Sequence, residues 1–143
     1  MATRLFKVGF ATTDTPGDIQ YLSAHASSGN YDSFQHDGSA LQVASGQALY
    51  IGHIVIRNAN GQNDIRIDFS HSTSPVNDGG TPSGNTPMGK GGGAGPYAGI
   101  NQNGGSYLTN YDVLMVVPQN EYFNLFNTDS SAYTTCAALG LMF

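Results

Sequence analysis

Apolar and polar residues alternate most clearly along Asp64-Ile-Arg-Ile-Asp-Phe-Ser70. Ile65, Ile67 and Phe69 fall on one side, and Asp64, Arg66, Asp68 and Ser70 on the other. A period of two predicts a strand with one face in a core and one in water. The preceding run, from Gly46 to Arg57, is denser in apolar residues. Simple alternation assigns Ala48, Tyr50, Ile54 and Ile56 to one face, and Leu49, Ile51, His53 and Val55 to the other. A strand apolar on both faces is central in its sheet, or is covered by another sheet or subunit. Between the two runs lies Asn60-Gly61, a strong hairpin signal. The stretch 46–70 is therefore expected to form the hairpin around which the rest of the chain is arranged.

The same reading continues along the chain. Residues 4–10 and 19–26 read as strands, Asp14 to Asp18 as a turn, 27–39 as loop and 40–44 as a short strand. Residues 111–117 form a strand ended by Pro118, and 121–127 the next. The last strand, 133–143, is expected to turn Tyr133, Ala137, Leu139, Leu141 and Phe143 toward the core. Between 71 and 106 the periodicity disappears into Gly, Pro, Ser and Asn. A loop of this length is functional or ordered by a partner, with Tyr97, Ile100 and Tyr107 as its candidate partner-contact residues. No window carries a sustained helical period. The expectation is one all-β domain over 1–143, an antiparallel β-sandwich of jelly-roll type, with seven or eight strands and one long loop at about 71–106. An immunoglobulin-like sandwich is the other candidate.

Composition narrows the function. Only 10% of the 143 residues are charged, with five cations against ten acids and a net charge of −5. Five scattered cations cannot make a phosphate-binding stripe, which argues against nucleic acid as a partner. The single cysteine, Cys136, excludes an internal disulfide and reads as a small buried hydrophobe. No stretch has the apolar length of a signal-peptide core or a membrane span, so synthesis in a cytoplasm without membrane insertion is expected.

Candidate chemistry is sparse. Gly84-Asn-Thr-Pro-Met-Gly89-Lys90-Gly91 imitates a phosphate-binding loop. It lacks the hydroxyl residue after the lysine, and three successive glycines cannot start the helix that the motif needs. His25, His36, His53 and His71 show no metal-ligand spacing; His53 and His71 would meet only if the hairpin brought them together. Asp64 and Asp68 flank Arg66, as on a solvated, charge-balanced face. Neither a marked carboxylate pair nor a serine-hydrolase elbow is present. The reading is a non-enzyme without cofactor or metal. Sugar binding through loop tyrosines is the principal alternative.

The string Gly46-Gln-Ala-Leu-Tyr-Ile-Gly-His-Ile-Val-Ile-Arg-Asn-Ala resembles a recurring strand of small phage virion jelly rolls. Val116-Val-Pro-Gln-Asn-Glu-Tyr-Phe-Asn-Leu125 and the terminal Gly140-Leu-Met-Phe143 are similar to the closing strands of such proteins. The resemblance implies a capsid decoration (cement) protein, commonly a homotrimer, bound to the major capsid protein on the outer surface of a bacteriophage head. Receptor- or carbohydrate-binding heads of tail and fibre proteins use similar folds. Under this expectation Leu49, Ile51, His53 and Val55 form the oligomer interface.

Overall fold

A computed structural model describes residues 18–58, 65–88, 99–102, 108–127 and 134–143. The strand expected at 4–10 lies outside these residues, as do Tyr97 and Tyr107. In order, the strands are β1 (Asp18–Ala26), β2 (Tyr31–Ser33), β3 (Gln35–His36), β4 (Ser39–Ala40), β5 (Leu49–Asn58), β6 (Ile65–Ser72), β7 (Thr86–Pro87), β8 (Gly99–Gln102), β9 (Leu108–Val117), β10 (Tyr122–Asn127) and β11 (Thr134–Met142). They form two antiparallel sheets. One has six strands in the order β4-β3-β1-β11-β5-β9; the other has five, β2-β10-β6-β7 with β8 also on β6. The molecule is an all-β sandwich, and no helix occurs among the described residues.

The core lies between the sheets. Leu22, Ala24 and Ala26 enter it from β1, Leu49, Ile51, Ile54 and Ile56 from β5, and Cys136, Ala138 and Met142 from β11. From the other side come Phe69, Phe123 and Leu125. Phe34 stacks on Phe123 at 4.4 Å, and Phe123 lies 5.6 Å from Phe69. Offset stacking of this kind adds about 0.5–1.5 kcal/mol per pair to the gain from burial alone.

The expected hairpin does not form. β5 and β6 lie in different sheets. Both edges of β5 are already occupied, by β11 along 49–58 and by β9 along 49–57, while β6 pairs with β10, β7 and β8. The Asn60-Gly61 signal therefore falls between strands of opposite sheets. Local turn chemistry has yielded to two long ladders made by sequence-distant partners. The density of the first run does have a structural counterpart, since β5 is an interior strand of its sheet.

The face assignment along β5 also changes. Leu49 and Ile51 are buried, and so are Ile54 and Ile56, whereas Gly52 is exposed and His53 and Val55 are half-buried. A register shift explains the change of phase. Gly140 of β11 pairs with Ile51, but its neighbour Leu139 pairs with His53, so Gly52 is an extra residue. On the other edge the same step shifts the pairing from Met115 to Asp112. This is a β-bulge, and it moves every following side chain to the opposite face. Leu49 and Ile51 thus belong to the core and do not share a face with His53 and Val55. The phase of β11 is likewise the reverse of expectation. Its even positions, from Thr134 to Met142, are buried, while Ala137 and Leu139 are exposed.

Candidate functional site: two contrasting outer faces

With those phases corrected, the outward side chains of the six-stranded sheet can be read across the strands. Ile19 pairs with Leu141, Leu141 with Tyr50, and Tyr50 with Val116, an apolar row across four strands. In the next row Tyr21 pairs with Leu139 and Leu139 with His53, and in the third Ser23 pairs with Ala137 and Ala137 with Val55. Leu114, exposed on β9, lies at the step where the β5–β9 pairing shifts register. All of the large hydrophobic residues found exposed are on this face: Tyr21 (72%), Leu114 (67%), Ile19 (52%), Val116 (45%) and Leu139 (40%). Phe143 continues the face, with its ring edge-on to Tyr50 at 5.5 Å. Singly exposed hydrophobics are ordinary on protein surfaces, but a contiguous group on one sheet face marks an interaction surface.

Charge is sparse on this face. No described side chain on its rows is Asp, Glu, Lys or Arg. The register adds Asp112 opposite His53 and Arg57 opposite Thr135, one acid and one base.

The outer face of the five-stranded sheet is built differently. Asn124 is fully buried at its centre. The Ser33 hydroxyl donates to Asn124 Oδ1 at 2.7 Å, and Asn124 Nδ2 donates to Ser72 Oγ at 2.8 Å and Ser70 Oγ at 3.3 Å. Residues 74–79 are hydrogen-bonded to this cluster and to β2 beside it. The Val76 amide donates to Ser33 Oγ, and the Ser72 hydroxyl donates to the Ser74 carbonyl. Tyr31 and Gly79 exchange two backbone hydrogen bonds. At one end the Asp78 carboxylate accepts from the Ser27 amide, the Ser27 hydroxyl and Asn30 Nδ2, and its own amide donates to Asp32. Those hydrogen bonds, Ser27 first, hold the Asp78 carboxyl below the usual carboxylate range, whereas burial raises that of Asp32. Part of the stretch read as a structureless loop is therefore tied down by the domain itself, and β7 and β8 pair with β6 within it. Ser70, expected to face water, is buried beneath it.

Beside this loop Tyr31 stacks on Phe126 at 4.3 Å and, with Asp68, Asn85 and Pro87, lines a pocket of about 110 Å³. The Asn85 side-chain oxygen is buried there without a protein partner. Sites that engulf a small molecule usually enclose about 300–1,000 Å³, so this pocket has room for a few waters or the edge of a ligand.

The other singled-out residues are scattered. His71 pairs with Glu121 in the five-stranded sheet, while His53 lies on the six-stranded one, so the two do not meet. His25 Nδ1 lies 3.0 Å from the Thr135 hydroxyl, and His36 is near the exposed Asp37. No group of three or more potential metal ligands occurs among the described residues. Cys136 is buried, and burial pushes its thiol far above the usual range, so it is inert. In the phosphate-loop lookalike, Thr86 and Pro87 form a short strand against β6. Ile100 pairs with Ile67 in the β8–β6 ladder. No helix among the described residues is long and apolar enough to cross a membrane.

Comparison with known proteins adds no relative: no family model, no curated protein and no solved structure matches the chain.

Proposed function

We propose that this chain is a structural virion protein: a decoration protein that assembles with copies of itself and adds to the outer surface of a bacteriophage head by binding the major capsid protein. The observation that carries the reading is the sparsely charged, largely apolar outer face of the six-stranded sheet. Such a surface suits permanent assembly better than capture of a polar small molecule, since the buried centre of a stable interface is depleted in charge and rich in aromatic and aliphatic residues. The strings around Gly46, Val116 and Gly140 supply the virion context, by resemblance.

Immunogold electron microscopy of virions, using antibody against this chain, tests the proposal. Label over the head surface is the expected result. Label only at the tail tip moves the chain to the alternative, a carbohydrate- or receptor-binding head domain. The Tyr31–Phe126 stack and the unpaired Asn85 oxygen are the features that favour that reading, and binding on a glycan array, lost in Tyr31→Ala, is its signature. Particles without label overturn both.

A further inference from the structure

We infer that the outer face of the six-stranded sheet is where a second copy of this chain packs, rather than where the shell is gripped; this rests on the reading of the chain as an assembly subunit. The first argument is charge. The chain carries a net −5, so two copies repel on approach. On this face the described rows hold no charge, and the register contributes one acid, Asp112, and one base, Arg57. It is thus a surface on which identical chains meet without like-charge opposition, and an apolar surface is matched by an identical one. A strongly basic or acidic partner surface would find no complement here.

Area is the second argument. Four strands, β1, β11, β5 and β9, run side by side under this face. At about 4.8 Å between strands and about 3.3 Å per residue they present roughly 600 Å² in projection. A stable pair buries about 800 Å² from each partner. Side-chain relief and the flanking Phe143 bring the face to that scale, so one further copy covers it. Sheets stacked face to face lie about 10 Å apart, with strands inclined at about 30°. The exposed Leu114, Leu139 and Val116 supply side chains to interdigitate across such a gap. Gly52, with no atom within 4 Å of the place a Cβ would occupy, leaves open space in the middle of the face.

The test is the mass of the purified full chain by light scattering and sedimentation, compared with Leu114→Glu and Tyr21→Glu. Both positions are more than half exposed, so the variants fold, as checked by the thermal midpoint. The wild type is expected to be multimeric at about 10 µM, and each variant to weaken association at least about 100-fold, because a charge placed in a shared face is buried without a partner. Asn77→Glu, on the exposed loop over the other sheet, leaves the mass unchanged. Leu114→Ser serves if a glutamate variant fails to fold. A wild type that stays monomeric at about 100 µM overturns the inference, and so does a multimer that both glutamate variants leave intact. The outcome is independent of virion labelling. A multimer that does not label virions keeps this inference and removes the virion reading, whereas a monomer that labels heads removes this inference together with self-assembly and keeps only the attachment to the head.

Discussion

On the five-stranded sheet the outward side chains of β2, β10 and β6 include Ser33, Asn124, Ser70 and Ser72, and a loop of the same chain lies over them. On the six-stranded sheet the outward side chains of β1, β11, β5 and β9 include Ile19, Tyr21, Leu139, Leu141, Leu114 and Val116, and the described chain leaves them in contact with solvent. Residue polarity would have predicted the opposite covering. The difference lies in what each face can specify. A buried amide flanked by three hydroxyls demands donors and acceptors at fixed places, and the Ser74 carbonyl and the Val76 amide supply two of them. A polar loop has nothing to gain from an apolar face, where its own amides would lose water without replacement. The apolar face is left for another apolar surface.

The largest effect that can break this comparison is expected at Asn124. Asn124→Ala takes one partner from each of the Ser33, Ser70 and Ser72 hydroxyls, although Ser33 keeps the Val76 amide and Ser72 the Ser74 carbonyl, and leaves a small cavity. The cost is about 2–3 kcal/mol in urea unfolding. If the variant loses less than about 0.5 kcal/mol, the polar cluster is wet and the contrast between the two faces collapses.

Gly84→Val comes next. Gly84 has a φ of 63°, and a Cβ there would sit 2.4 Å from Thr73 Oγ1. Thr73 in turn donates both its amide and its hydroxyl to the Ser83 carbonyl. Backbone strain and collision together cost about 1–2 kcal/mol. The damage is local, so hydrogen exchange is expected to speed up at Thr73 and Ser83 while the β5 and β11 amides keep their protection. Uniform loss of protection would show that the loop and the sheet beneath it are one cooperative unit.

How much of this was legible in the sequence depends on what periodicity can carry. The class was legible, and so were β1, β9, β10 and β11 to within a few residues, because short runs rich in apolar and aromatic residues are bounded by turn residues such as Pro118-Gln-Asn120 and Thr128-Asp-Ser-Ser131. The phase of β11 was not, because both of its faces are apolar: Cys136, Ala138 and Met142 on one, Ala137, Leu139 and Leu141 on the other. A period states that two faces differ in position without stating which is inside. Along β5 the misleading element was Gly52. A glycine inside a strand is a recognised sign of a bulge, and reading it so would have returned Leu49 and Ile51 to the core. The Asn60-Gly61 hairpin failed because turn chemistry is local, whereas the occupancy of both β5 edges is settled by residues 51 to 93 positions away. The covered polar face had no advance signal, since Ser70 and Ser72 look the same in sequence whether they meet water or Asn124. The exposed apolar face is visible only once both phases are known.

A smaller effect sharpens the contrast from the other side. Leu114→Ser removes the side chain of a residue that is 67% exposed. The stability of a dilute sample is expected to stay within about 0.5 kcal/mol of wild type. The multimer nevertheless weakens, so the unfolding midpoint of a concentrated sample falls toward that of a dilute one. A large loss in the dilute sample would mean that Leu114 packs within its own domain.

The smallest expected effect is the pH dependence of the loop anchor. Asp78 is held below the ordinary carboxylate range by the Ser27 hydroxyl and amide and by Asn30. A lowered folded value means that its contribution is present above the unfolded value and is lost as pH falls through the folded one. Asp32 works with the opposite sign. Burial raises its carboxyl, so stability falls as pH rises from the unfolded value through the folded one, even though the amides of His25 and Asp78 donate to it. Asp78→Asn tests the anchor, because the amide keeps one acceptor for Ser27 but no charge, and it also removes the Asp78 charge that helps to raise Asp32. The difference between wild type and Asp78→Asn is expected to be constant above the ordinary carboxylate range and to shrink steadily as urea unfolding is repeated at lower pH. A difference that persists unchanged under acid would mean that the hydrogen bonds to Asp78 do not depend on its charge, and that the loop is held chiefly at Asn124.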